Sequence, residues 1–297
     1  MTHPNGDVPE ALKSLGLRAS PDALTALFAH ATKSRLSPIQ TVEQLVALER
    51  KEREVRNLAQ RTRLATLGKF KSIDQFDWHH PREIDRALYE QLLECAFIDQ
   101  AANVLLRGQS GVGKTTLAQN LGHFALQKGY RVRFTTLAQA LADLSKRDSL
   151  AAFERRLHTY TKPALLLIDE LGYVPADARG GDILYNIISR RHQQRPTVIT
   201  TNLAFKHWGT IFPGAACVAA LVDRFTESCY TLDIDADSWR QKRKSDRGRG
   251  NRGSESRGFT WPPTPRLAAS RGRVPSLPSK PAREVWKGAC SGVYVIP

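Results

Sequence analysis

Three observations predict an α/β fold built on a five-stranded parallel sheet flanked by helices. Five short apolar runs recur between residues 103 and 234, and a helical pattern separates each run from the next. Most of the runs are continuous in Val, Ile and Leu, as expected of strands covered on both faces. A glycine-rich turn links the first run to the helix that follows it.

The strand-like runs are Asn103-Val104-Leu105-Leu106-Arg107, Arg131-Val132-Arg133-Phe134-Thr135, Ala164-Leu165-Leu166-Leu167-Ile168, Thr197-Val198-Ile199-Thr200-Thr201 and Tyr230-Thr231-Leu232-Asp233-Ile234. Helical spacing covers about 114–128, a stretch ending near 158, 181–194 and 216–227, and a helix-like segment at 82–98 precedes the first run. Residues 8–68 read as helical throughout, with Ser20-Pro21 as a cap and first turn. A long helix is expected there from Thr41 to Leu67, ending at Gly68. Its loose apolar stripe is Leu45, Val46, Leu48, Val55, Leu58 and Leu64, interleaved with Arg50, Lys51, Arg53, Arg56, Arg61 and Arg63.

Charge divides the chain differently. Of a net +15, residues 240–297 carry +11 and residues 32–71 carry +6, leaving the middle close to neutral. Such asymmetry points to an anionic partner, most often nucleic acid, although a solvated helix face gives the same pattern. Beyond Lys244 the sequence turns to Arg, Gly, Ser and Pro, too poor in apolar residues to offset ordering entropy, so 245–297 reads as a disordered basic tail. The expected organisation is a helical segment 1–75, an α/β domain 76–244, and the tail 245–297.

Composition excludes other classes. No window approaches the ~18 apolar residues of a membrane span. The N-terminus lacks the basic and apolar regions of a secretion signal. Four dispersed cysteines (Cys95, Cys217, Cys229, Cys290) form no CxxC pair, which predicts a reduced, cytoplasmic protein without a structural metal.

Gly108-Gln109-Ser110-Gly111-Val112-Gly113-Lys114-Thr115 matches G-x-x-x-x-G-K-[ST] in the required strand-to-helix context. Its glycines let successive N–H groups face phosphate oxygens, and the following helix adds its positive end. Lys114 is placed to neutralise the β/γ-phosphates and Thr115 to ligate Mg2+; Thr116 completes the candidate nucleotide set. About 55 residues on, Leu165-Leu166-Leu167-Ile168-Asp169-Glu170 ends a strand in two carboxylates. If that strand neighbours the loop, Asp169 can hold Mg2+ through water and Glu170 can orient or deprotonate the attacking water. Asn202, closing the next strand, either contacts the γ-phosphate or simply suits a turn. Arg224 is either an arginine finger for a neighbouring subunit or an ordinary surface arginine.

Taken with Leu167–Pro175, Thr200–Phe205 followed by Trp208-Gly209 and Phe212, Asp223-Arg224-Phe225 and Asp235–Arg240, these residues resemble the IstB family of insertion-sequence helper ATPases. The resemblance covers about residues 10–243 and implies that the helical segment 1–75 contacts DNA and supports assembly, and that 76–244 is the ATPase domain. It implies a P-loop AAA+ fold related to helicase loaders of the DnaC type. It also implies ATP and Mg2+ handling by Lys114, Thr115, Asp169 and Glu170, a first sensor at Asn202, a trans-acting Arg224 and a second-sensor Arg240. Implied partners are DNA bound largely without sequence preference, further copies of the chain assembled with ATP, and a transposase of the IstA type, with no membrane. A helicase loader, or a non-catalytic DNA-binding protein with structural ATP, stays open at this stage. Two departures stand out: Ala204 replaces the Pro expected in Asn-Leu-Pro-Phe, and Gly180-Gly181 predicts a loosened first turn in its helix. The tail after 245 matches nothing in the family pattern and reads equally as an added arm or as out-of-frame sequence.

Overall fold

Alternation of apolar residues across each strand produces two cores, one on either face of a central sheet. The computed structural model describes residues 8–147, 149–173 and 177–239. The strands are β1 (Glu83–Ile84), β2 (Asn103–Gly108), β3 (Val132–Thr136), β4 (Leu165–Leu171), β5 (Thr197–Thr201) and β6 (Cys229–Asp235), in the order β1-β6-β2-β5-β4-β3. Val104, Leu106, Leu165, Leu167 and Val198 face one core; Leu105, Leu166, Ile168 and Ile199 face the other. Each of these side chains is essentially buried, and burial of one such aliphatic group contributes roughly 1.5–3 kcal/mol.

The five expected strands are present and mutually parallel, but the sheet is mixed and six-stranded. Two-residue β1 pairs antiparallel with β6, Glu83 opposite Asp235 and Ile84 opposite Ile234. So short a strand has no periodicity of its own, and the partner it finds on folding defines it. The condition that the phosphate-loop strand neighbours the Asp169 strand is not met either, because β5 lies between β2 and β4.

The helices are α1 (Val8–Ser14), α2 (Pro21–Lys33), α3 (Pro38–Ala65), α4 (Arg86–Leu93), α5 (Ala96–Asp99), α6 (Lys114–Gln127), α7 (Leu137–Ser145), α8 (Leu150–Thr161), α9 (Ala178–Arg191), α10 (Trp208–Ile211) and α11 (Val218–Thr226). The Ser20 cap forms as expected, its hydroxyl accepting from Ala23 N–H at 3.3 Å. Helix α3 starts earlier than expected, at Pro38, because Ser37 and Gln40 form a capping box at its start. The segment 82–98 is not one helix: β1 precedes α4, and Cys95 at φ +60° breaks α4 from α5. The helical stretch after β3 is likewise two helices, α7 capped by Thr136 and α8 capped by Ser149.

The apolar stripe of α3 splits. Leu45, Leu48 and Leu58 are half-buried, whereas Val46, Val55 and Leu64 are exposed. The seam is held instead by buried Glu49, which accepts the backbone N–H groups of Arg18 and Ala19, both at 2.8 Å. Farther along, Ala65 and Leu67 are buried in the same core as Leu106 and Leu117. Gly180-Gly181 does not loosen α9. Asp177 caps it through Gly180 N–H at 2.8 Å, and a Cβ at Gly181 would come within 2.7 Å of Ala215, so the helix packs where only glycine fits. All described residues fall in one compact unit, and among them no helix is long and apolar enough to cross a membrane. Arg240 and the expected tail 245–297 lie outside the described residues.

Candidate functional site

Beyond the carboxyl ends of β2 and β4, where ligands of open α/β sheets bind, the chain encloses a cavity of about 260 Å³. Its floor is the loop from Ser110 through Thr116. Two glycines of that loop are sterically required. Gly111 (φ +88°) carries Ser238 against the position a Cβ would take, and at Gly113 (φ +100°) a Cβ would come 2.7 Å from the Phe76 ring. Gly113 is also the N-cap of α6, so the loop runs directly into the start of that helix, whose first N–H groups have no intrahelical partner. Gly108 and Gln109 stand behind this floor. Their carbonyls accept from Lys114 Nζ at 2.8 and 2.7 Å. Lys114 is buried, with the Tyr173 hydroxyl at 3.4 Å and the Tyr173 ring centroid at 5.9 Å.

Across the cavity floor, the Thr115 hydroxyl donates to the Asp169 carboxylate at 2.9 Å, bringing the two expected metal-handling residues together despite the intervening strand. The intervening strand adds a second contact: the Thr200 hydroxyl of β5 also donates to Asp169 and accepts the Glu170 backbone N–H at 3.1 Å. Glu170 sits at φ +64°, where the β4–β5 register slips between Ile168 and Leu171. A non-glycine residue held in that region is strained, and such strain concentrates at functional sites. The irregularity leaves Asp169 buried and Glu170 exposed on the cavity wall.

The donor set suits one kind of cation. Asp169 is 3% exposed, and among the described residues it takes part in no ion pair, only hydroxyl hydrogen bonds. A buried carboxylate so placed favours a cation beside it. One carboxylate and one hydroxyl form a hard oxygen set of the sort Mg2+ uses when phosphates and water complete its shell. Among the described residues no group of three or more His, Cys, Asp or Glu forms a self-sufficient metal cage.

Several wall residues escaped the sequence reading. Phe76, His80, Tyr173 and Trp239 line the cavity, with Lys71, Gln75 and Asp77 beside them. His80 and Trp239 rings meet edge to face at 4.7 Å, and Trp239 N–H donates to Gly111 O at 3.1 Å, fastening the chain after β6 to the phosphate loop. The aromatic run Phe76-Asp77-Trp78-His79-His80 was the available signal, but no spacing rule ties such a run to a loop thirty residues away. Thr200 lies within Thr200-Thr201-Asn202, where a strand hydroxyl carries no local signal of the neighbouring strand it will meet.

Two expected site residues are not brought to the cavity. Asn202 is exposed at the end of β5, its Oδ1 beside Gly172. Arg224 lies at the opposite edge of the sheet, in a recess lined by Asn103 at the start of β2 and by Ser228 just before β6. Of the basic residues of α3, Arg53, Arg56 and Arg61 are tied to carbonyls of Gly16, Arg18 and Leu126. Arg50, Lys51 and Arg63 are exposed, and among the described residues they form no ion pair.

A family model described as IstB-like ATP binding protein matches residues 10–247. The chain belongs to the IstB-like ATP-binding family. This IstB-like protein is 31% identical, over 223 residues, to a candidate ATP-binding protein of insertion sequence IS21 from Pseudomonas aeruginosa, covering 75% of this chain and 84% of that one. It is 29% identical over 237 residues to the corresponding IS5376 protein of Geobacillus stearothermophilus, covering 80% and 94%. Among solved structures, one of DnaI matches at 18% identity over 56% of this chain and 89% of that chain, with a TM-score of 0.46. One of the DnaC helicase loader matches at 20% over 58% and 97%, with a TM-score of 0.42. The IstB-like fold is an α/β fold with a phosphate loop, its five parallel strands as expected and one antiparallel strand added.

Proposed function

We propose that this IstB-like protein is an ATPase that assembles on DNA and serves an insertion-sequence transposase of the IstA type, with ATP hydrolysis as the switch. The observation that carries the reading is the Thr115–Asp169–Thr200 cluster, set on the phosphate loop with Glu170 beside it. Loop N–H groups and Lys114 bind the triphosphate. Thr115 and Asp169 hold Mg2+, which when bound neutralises charge on the phosphates. Glu170, on the cavity wall, orients the attacking water and takes its proton. Arg224 cannot serve its own chain's site from the far sheet edge, and supports the reading that it supplies positive charge to the γ-phosphate of a neighbouring copy.

The exposed Arg50, Lys51 and Arg63 favour phosphate contacts that position the protein without reading bases. In this scheme 1–75 contacts DNA and assembles, 76–244 hydrolyses ATP, Arg240 reports nucleotide state, and 245–297 adds affinity for the polyanion.

The test is ATP turnover with and without duplex DNA, alongside particle size in ATP and in ADP. Turnover should require Mg2+. Glu170→Gln should trap the large ATP-bound species and abolish turnover, and Lys114→Ala should weaken nucleotide binding. DNA affinity should fall steeply with added salt. Turnover by Glu170→Gln at the wild-type rate, or a particle indifferent to nucleotide, overturns the proposal.

A further inference from the structure

Arg224 is held by a hydroxyl and an aromatic ring and not by a carboxylate. Arg190, at the end of α9, pairs with Glu154 through two bonds of 2.6 and 2.7 Å, and Arg107 pairs with Asp233. Arg224 has a carboxylate within one helical turn, Glu227, the usual partner at that spacing. Yet Glu227 is turned away, engaged by His192 and by Gln193 Nε2 at 2.8 Å. Among the described residues Arg224 forms no ion pair. It crosses from α11 to α9, where its Nη1 donates to the Ser189 hydroxyl and its guanidinium carbon lies 5.0 Å from the centroid of the Tyr185 ring.

Tyr185 and Ser189 are four residues apart and so share one face of α9. Both are half-buried, as is Arg224. A neutral hydroxyl and an aromatic face fix the direction of a guanidinium without cancelling its charge, whereas a carboxylate would do both. Resting on the reading of Arg224 as a trans-acting arginine, we infer that Tyr185 and Ser189 are positioning residues that preset Arg224, fully charged, for the phosphate of the next copy. Preorganised charge is what stabilises a transition state, since it needs no rearrangement as the reaction proceeds. Engagement of Glu227 by His192 and Gln193 belongs to the same arrangement, because it removes the nearest competitor for the guanidinium.

The full chain is assayed for kcat, for KM with ATP, and for complementation between variants. Ser189→Ala combined with Tyr185→Leu should lower kcat on the order of tenfold through loss of orientation, with KM unchanged. Tyr185→Phe, which keeps the ring, should retain wild-type kcat. Ser189→Asp supplies the missing carboxylate and should raise the unfolding temperature while lowering kcat, a divergence that a purely structural role does not produce. Mixing the double variant with Lys114→Ala, whose Arg224 is intact, should restore turnover above the sum of the two alone.

The outcomes separate the two readings. If Arg224→Ala loses turnover and is complemented by Lys114→Ala, while the double variant and Ser189→Asp keep wild-type kcat, the positioning inference fails and the trans arginine stands. If Arg224→Ala keeps its turnover, or complementation is absent for it too, the trans arginine itself is wrong and the inference goes with it. Ser189→Ala alone, a small change on a half-buried position, keeps the test decisive should Tyr185→Leu fail to fold.

Discussion

Thr200 and Asp169 are joined by a hydrogen bond between adjacent strands, the Thr200 hydroxyl donating to the buried carboxylate. The same oxygen accepts the backbone N–H of Glu170. One side chain therefore sets both acidic residues of β4, orienting the first and holding the second in its left-handed conformation.

Thr200→Val keeps the shape and removes the hydroxyl. Asp169 then loses one donor and Glu170 N–H loses its acceptor. Unfolding free energy should fall by about 1–3 kcal/mol, and Mg2+-dependent ATP turnover should fall at least tenfold, while nucleotide binding through the loop N–H groups persists. Thermal unfolding and steady-state turnover on the same sample check this. Wild-type turnover in that variant would refute the bridging role.

Asp143 of α7 ties that helix to α8, accepting from Tyr160 at 2.6 Å, Arg156 at 2.5 Å and Arg147 at 2.8 Å. Burial raises the Asp143 carboxyl, but these donors outweigh it and hold the group down at about 2 from its ordinary 3.8. A carboxyl lowered on folding stabilises the native state fully above its unfolded value, and that stability is lost as pH falls through the folded value. The wild type should therefore exceed Asp143→Asn by up to about 2 kcal/mol near neutrality. The gap should close between about pH 4 and pH 2, as read by denaturant unfolding across that window.

Arg191 is 1% exposed and donates to the carbonyls of Tyr160, Thr161, Pro163, Ala164 and Pro196, and to the Thr197 hydroxyl. It gathers the end of α8, the entry to β4 and the entry to β5. Arg191→Met would strip this donor from all five carbonyls, leaving Thr161 O only Arg195 and Pro196 O only the Leu166 N–H, at a cost of about 3 kcal/mol or more. The midpoint of urea unfolding should drop accordingly, and Arg191→Lys should recover only part of it, having fewer donors in a less rigid array.

Glu49→Ala removes the acceptor of the Arg18 and Ala19 amides. Those two amides should exchange hydrogen faster by tenfold or more, reporting local opening between α2 and α3. Nucleotide affinity should be unchanged, since the cavity walls do not include this seam. Protection at both amides equal to wild type would show that other contacts hold α2 in place.

The amino-acid sequence by itself determined the five parallel strands, the phosphate loop with Lys114 and Thr115, and the Asp169-Glu170 strand end. These are local: continuous apolar runs make buried strands, and G-x-x-x-x-G-K-[ST] makes its turn through glycines adjacent in the chain. Even the start of α3 was locally encoded, in the Ser37–Gln40 box that periodicity overlooked. Only the tertiary structure decided that β5 lies between β2 and β4, and so that Thr200 is the residue that links Asp169 and Glu170. It alone placed Phe76, His80 and Trp239 around the loop, and Arg224 on the far edge with Tyr185 and Ser189. The physical reason is range. Periodicity and turn chemistry act over a few residues, whereas strand order and cavity walls follow from how two apolar faces are buried at once, bringing together residues separated by thirty to more than a hundred positions.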